Sequence, residues 1–179
     1  DFVRYVMGNP QPVSVYGATF HKLGNRANLK TTKGYLAADA KADTKEICDV
    51  EDLATALIRF DNGAVLSVEA SFSLNIKHGR GEIEMFGTKA GGRLDPKLEI
   101  FSEINGYMVN VNFDHDTSLS FGGLFDAEIH HFVECALGRA TCIAPAEDGV
   151  TLMRILDAIY KSAATGREVR LDKPVKKQH

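Results

Sequence analysis

Apolar and polar positions alternate strictly through much of the first two thirds of the chain. In 52–60, Ala56, Ile58 and Phe60 alternate with Thr55, Leu57 and Arg59. After Asp61-Asn62-Gly63 the return run sets Ala64, Leu66, Val68, Ala70 and Phe72 on one face and Val65, Ser67, Glu69 and Ser71 on the other. A period of two with one apolar face predicts paired strands covered on one side, and Asn-Gly supplies the turn. Residues 12–21 predict an earlier strand, 82–86 a short one, and 98–103 with 107–113 a second hairpin around Asn105-Gly106. Gly87 to Gly92 read as a flexible turn. Residues 22–48 are polar, lysine-rich and without period, so they read as a long surface loop or insertion.

The pattern then changes to helical spacing. Phe125, Ile129, Phe132, Val133, Ala136 and Leu137 form one stripe over 124–137, closed by Gly138. A second helix begins near Pro145-Ala146-Glu147-Asp148, with acidic residues suited to the helix dipole. Leu152, Ile155, Leu156 and Ile159 give its stripe and Gly166 its stop. Residues 168–171 read as a last strand and the lysine-rich tail 173–179 as frayed. Residues 1–8 read as the end of a helix, with Phe2, Tyr5 and Val6 at helical spacing, Gly8 as cap and Pro10 forbidding continuation. The body of that helix is expected upstream, which makes the chain a piece of something longer. Strands followed by helices indicate an α+β two-layer domain over 9–172: a mostly antiparallel, mixed, open-faced sheet with helices packed on one face. The other sheet face needs a partner.

Composition narrows the function classes. With 179 residues, 44% apolar and 25% charged, the chain has the makeup of one globular domain rather than a disordered segment. A net charge of −3 gives no bulk electrostatic case for nucleic acid. No apolar run reaches the length of a membrane-spanning helix, and the first residues lack the n-region and h-region of a signal peptide. Cys48, Cys135 and Cys142 are too few and too scattered for a disulfide framework, which suits a reducing, cytoplasmic setting. None of them makes a C-x-x-C pair, so no cysteine zinc site is expected.

Candidate chemistry is sparse. Gly79-Arg80-Gly81 with Glu84 is a broken G-x-G-x-x-G that leads into a strand, whereas a pyrophosphate cradle must open a helix. Asp114-His115-Asp116 offers two carboxylates and an imidazole to a hard metal ion, without a spaced fourth ligand, in a segment that equally reads as a polar turn. His130 and His131 are neighbours about 100° apart on a helix and cannot chelate one ion as an i, i+4 pair does. His130 pairs with Glu134 on the solvated side, and His131 shares another stripe with Cys135. No nucleophile–base spacing occurs.

The stretch Leu124 to Glu134, then Pro145-Ala146-Glu147-Asp148-Gly149, Ile155 to Ala163 and Gly166-Arg167-Glu168-Val169-Arg170-Leu171, resembles the closing part of the glucose–fructose oxidoreductase/inositol dehydrogenase (Gfo/Idh/MocA) family. Asp52-Leu53-Ala54, Phe60 to Ala64 and Glu84 to Gly92 resemble its C-terminal sheet, and residues 1–8 the end of the helix joining its two domains. The resemblance spans the chain except 22–48. It implies an N-terminal Rossmann domain that binds NAD or NADP, and a C-terminal domain that supplies part of a sugar or polyol pocket and a homodimer interface through its open sheet. It also implies that the catalytic Lys, Asp and His lie upstream of Asp1. No catalytic or cofactor-binding residue is therefore expected in this chain, and on its own it is expected to be inactive.

By the same resemblance the loop after the strand ending near Phe72 faces substrate. That implicates Asn75, Lys77, His78 and Arg80, side chains able to hydrogen-bond hydroxyls. Phe121 and Phe125 approach the pocket in the family, although Phe125 also begins the apolar stripe and suits core packing. The 22–48 segment departs from a short family connection and could cap the pocket or reach a neighbouring subunit. The competing reading is a freestanding dimerising or small-ligand-binding α+β module without redox activity.

Overall fold

The computed structural model describes residues 1–23, 49–76, 81–94, 97–117 and 122–172. The elements in chain order are α1 (Phe2–Val6), β1 (Pro12–Phe20), β2 (Leu53–Phe60), β3 (Val65–Ser71), β4 (Ile83–Phe86), β5 (Ala90–Leu94), β6 (Glu99–Ile104), β7 (Tyr107–Val111), α2 (Leu124–Ala136), α3 (Ala146–Thr165) and β8 (Val169–Arg170). They fall into two compact units, Asp1–Asn75 with Ala144–His179, and Ile76–Ile143.

The first unit is an antiparallel sheet in the order β3-β2-β1-β8 with α3 laid on β1. The alternation read in 52–72 is observed. Ala56, Ile58 and Phe60 are buried, Leu57 and Arg59 exposed, and Leu66 and Val68 lean on the same core as Val15. The Asp61-Asn62-Gly63 loop closes with the Phe60 N–H donating to Ala64 O at 2.9 Å and the Gly63 N–H to Phe60 O at 3.1 Å. This is a three-residue hairpin loop.

The helix stripe is rotated from the one expected. Thr151, Ile155, Ala158, Ile159 and Ser162 are buried on α3, while Leu156 is 45% exposed. Small residues win that face because the sheet comes close. A Cβ on Gly17 would meet Ile159 Cγ2 at 3.0 Å and Thr55 O at 3.3 Å. Ser162, fully buried, accepts the Gly17 N–H at 2.9 Å and donates to Arg167 O at 2.7 Å. The second bond turns the chain out of α3 toward β8, where the Leu171 N–H donates to Val13 O at 2.8 Å. At the other end of the helix, buried Arg4 donates to Asp148 Oδ1 at 2.7 Å, to Pro10 O at 2.9 Å and to Asn9 O at 3.2 Å. One guanidinium thus ties α1 and the turn after it to the first turn of α3, where a carboxylate already suits the dipole.

The second unit carries an antiparallel sheet in the order β4-β5-β6-β7. The expected single sheet is therefore two four-stranded sheets, within the expected α+β class. The flexible turn read over 87–92 is a correction, because Ala90–Leu94 is a strand paired on both sides. Its glycines are strand glycines. A Cβ on Gly92 would meet Ile100 Cδ1 at 3.2 Å, so the neighbouring strand occupies the space a side chain would need. The Asn105-Gly106 turn forms as expected, with φ of +52° and +82°. Among the described residues of this unit Gly92 alone is buried, and α2 buries none of its stripe.

Ser162→Ala leaves the Gly17 N–H and the Arg167 carbonyl without their shared partner, so it is expected to cost about 1–3 kcal/mol. Gly17→Ala presses into Ile159 at about the same cost. Urea unfolding of the intact protein checks both, through a lower midpoint at unchanged slope.

Candidate functional site

Strand register brings two of the expected functional segments to one end of the first sheet. Phe20 at the end of β1 pairs with Leu53 at the start of β2, and Leu53 pairs with Ser71 at the end of β3. The 22–48 segment leaves and returns at that end, and the loop bearing Asn75 leaves from it too. Asp52 staples the stem. It is 2% exposed, its Oδ2 accepts the Lys22 N–H at 2.5 Å and the Leu23 N–H, and its own N–H donates to Phe20 O at 2.9 Å. Ser71 Oγ donates to Asp52 O at 2.5 Å and accepts the Ser73 N–H at 3.1 Å, which starts the next loop. Glu51, beside Asp52, accepts the hydroxyl of Tyr160 on α3 at 2.8 Å, and that bond raises the phenol above its ordinary pKa.

Asn75 is exposed at the close of this unit. Lys77, His78 and Arg80 lie outside the described residues, as do most of 22–48 and Phe121. Phe125, in the other unit, sits on α2 at 70% exposure, so the core-packing role suggested by its stripe is not met within this chain.

The second unit has two polar clusters. Asp114 and His115 touch at 3.3 Å but are largely solvated, and His115 stands edge-on to Phe113 at 5.9 Å. With Asp116 and Thr117, His115 lines a shallow pocket of about 280 Å³ against β6 and β7. Asp114, His115 and Asp116 do not gather their ligand atoms within 4.8 Å of one another. Arg93 bridges Glu99, through Nε at 2.8 Å, and Glu82 at 3.6 Å, which raises its pKa, chiefly through the hydrogen bond to Glu99.

The other cluster was not expected. His131 and Cys135 stand one turn apart on α2, with Nε2 and Sγ 3.4 Å apart. The chain reverses after the helix, the Gly138 N–H donating to Cys135 O at 3.0 Å and the Arg139 N–H to Glu134 O at 2.9 Å. Cys142 then returns to the same place. One ligand atom from each of His131, Cys135 and Cys142 lies within 4.8 Å of the others, and among the described residues no other such group occurs. Burial, and then the neighbouring Cys142, push the Cys135 thiol up, so it is poorly suited to act as a nucleophile. His130 does not pair with Glu134 as expected, since Glu134 meets Arg139 at 3.4 Å. The missed signal was an i, i+4 His–Cys pair with a further cysteine seven residues on.

Residues 1–171 match the oxidoreductase family C-terminal alpha/beta domain. The chain is 28% identical over 172 residues to D-glucoside 3-dehydrogenase of Escherichia coli K12, covering 96% of this chain and 46% of that protein. It is 28% identical over 138 residues to D-xylose 1-dehydrogenase (NADP(+)) 2 of Haloferax volcanii, covering 73% of this chain and 39% of that one. The fold matches levoglucosan dehydrogenase in complex with NADH and levoglucosan at a TM-score of 0.73 and 21% identity, over 97% of this chain and 48% of that one. The chain thus spans less than half the length of these relatives. No helix among the described residues is long and apolar enough to cross a membrane.

Proposed function

The chain belongs to the Gfo/Idh/MocA oxidoreductase family as a C-terminal alpha/beta domain, and from that premise we propose that it is the substrate-binding and oligomerisation half of an NAD(P)-dependent oxidoreductase acting on a sugar, polyol or related hydroxy compound. The agreement of residues 1–171 with that domain carries the reading. The relatives named as sugar dehydrogenases set the substrate class.

Among the described residues nothing fits a nicotinamide cofactor: their paired strands are all antiparallel, and none runs directly through a glycine turn into a helix N-terminus, the geometry that seats a pyrophosphate. Cofactor binding and the catalytic Lys, Asp and His are therefore assigned to another domain of the intact protein, and no chemical step runs through the residues described.

This domain's own task is recognition. Asn75, Lys77, His78 and Arg80 are assigned to substrate because they follow β3 in sequence, and loops on a rigid scaffold are where specificity is carried. Neutral and cationic donors of these types suit hydroxyl oxygens. Phe125 is kept as a substrate contact on the family resemblance alone. The enzyme works in the cytoplasm, where scattered cysteines stay reduced.

The partner is a second copy of the chain. The sheet face opposite α3 presents Tyr16, Leu57 and Val65 at 52%, 49% and 53% exposure, with Tyr16 and Leu57 register partners. These three apolar side chains stand among Arg59, Ser67 and Glu69 on a mixed face, the kind of surface that a second copy can cover.

The intact protein, given NAD+ or NADP+ and a panel of sugars and polyols, is expected to form NAD(P)H. Asn75→Ala is expected to raise KM for the preferred substrate about tenfold, about 1.4 kcal/mol of lost binding, with kcat little changed. An unaltered KM would place the hydroxyl contacts elsewhere. In sedimentation the intact protein is expected to run as a dimer or larger, and Leu57→Glu to shift it toward monomer; an unshifted profile would remove this face from the interface.

A further inference from the structure

We propose that His131, Cys135 and Cys142 form a binding site for a thiophilic divalent cation of the Zn2+ class, with three protein ligands and one coordination position left open. The spacing of His131 and Cys135 is that of two ligands on one zinc ion. Zn–N and Zn–S bonds of about 2.0 and 2.3 Å at a tetrahedral angle set nitrogen and sulfur about 3.5 Å apart. His131 Nε2 and Cys135 Sγ are 3.4 Å apart, and Cys142 completes a set whose ligand atoms lie within 4.8 Å of one another.

The backbone builds this set from short range. One helical turn aligns His131 over Cys135. The reversal at Gly138 and Arg139 then carries the chain back, so that Cys142 meets the pair. The amide of Ile143 donates to His131 Nε2 at 3.3 Å. The tautomer that accepts at Nε2 holds its proton on Nδ1, so the nitrogen facing the sulfurs carries a lone pair. A cation takes that lone pair in place of the amide proton.

Ligand chemistry selects the ion. Two thiols and an imidazole favour Zn2+ over Mg2+ or Ca2+, which prefer oxygen. Binding converts both thiols to thiolates and releases two protons, which leaves the site neutral overall. No electron transfer is involved. His131 and Cys135 are half-buried and Cys142 exposed, so the ion has a route in, and the fourth position faces a place water can reach. The site uses none of the residues assigned to substrate, and it stands whether or not the sugar reading holds.

The test uses the intact protein carrying Cys48→Ser, reduced and stripped with chelator, then titrated with Zn2+ against a chromophoric chelator and separately with Co2+. The expected result is one Zn2+ per chain, and with Co2+ a thiolate charge-transfer band of tetrahedral type. His131→Ala and Cys135→Ser are each expected to weaken binding tenfold or more, on the order of what a lost contact at a metal site costs. Cys142 is exposed, so Cys142→Ser keeps the fold and gives the cleanest comparison. Zn2+ uptake equal in Cys142→Ser and its parent overturns the site. So does failure of the reduced protein to bind, or a Cys135–Cys142 disulfide that persists in reductant.

Discussion

The backbone amide of Gly17 sits in the hydroxyl of Ser162, and the organisation of the first unit follows from that contact. The bond forms only if helix and sheet approach more closely than two side chains allow, which is why the helix brings a serine and the strand no side chain. The approach packs Ile159 and Ile155 onto Val15, Ala56 and Ile58. The same hydroxyl then holds Arg167 O and sends the chain back as β8, beside β1. Arg4, buried, and Asp148, half-buried, fix the far end of the helix, so that removing either leaves the other's charge poorly compensated. With both ends of α3 pinned, the sheet is a rigid platform, and its loops can be given to recognition without loss of register.

The second unit answers to the opposite constraint. Its sheet and helix expose Phe86, Tyr107, Met108, Phe125 and Phe132, and its described residues enclose almost no core. A four-stranded sheet does not remain uncovered in water at that apolar content. That fits a chain spanning less than half the length of its sugar dehydrogenase relatives.

Much of the fold was legible because period and turn chemistry are local. Ala56, Ile58 and Phe60 declared their face by alternation, and Asn105-Gly106 declared its turn by tolerance of positive φ. What escaped depends on distant neighbours. β5 was hidden by Gly91 and Gly92, whose strand role is set by Ile100 and Met85 across the sheet. The α3 stripe was drawn through Leu156 because hydrophobicity outranks fit, yet Thr151 and Ser162 hold the buried positions. The buried places of Arg4 and Asp52 are set by backbone partners elsewhere in the chain, which no local pattern marks. On the site side, Asn75 could be named from the family pattern, but its place beside the stem of 22–48 needed strand register. His131, Cys135 and Cys142 match no spaced metal motif, since the reversal after α2 joins them.

The account turns on a division of labour: recognition of a hydroxy substrate in this domain, and nicotinamide binding outside it. The most direct measurement is NADH and NADPH binding, by fluorescence titration, to the intact protein and to a chain of residues 1–179 in parallel. The division calls for saturable binding of one or both by the intact protein and none by residues 1–179. Saturable binding by residues 1–179 alone would contradict it.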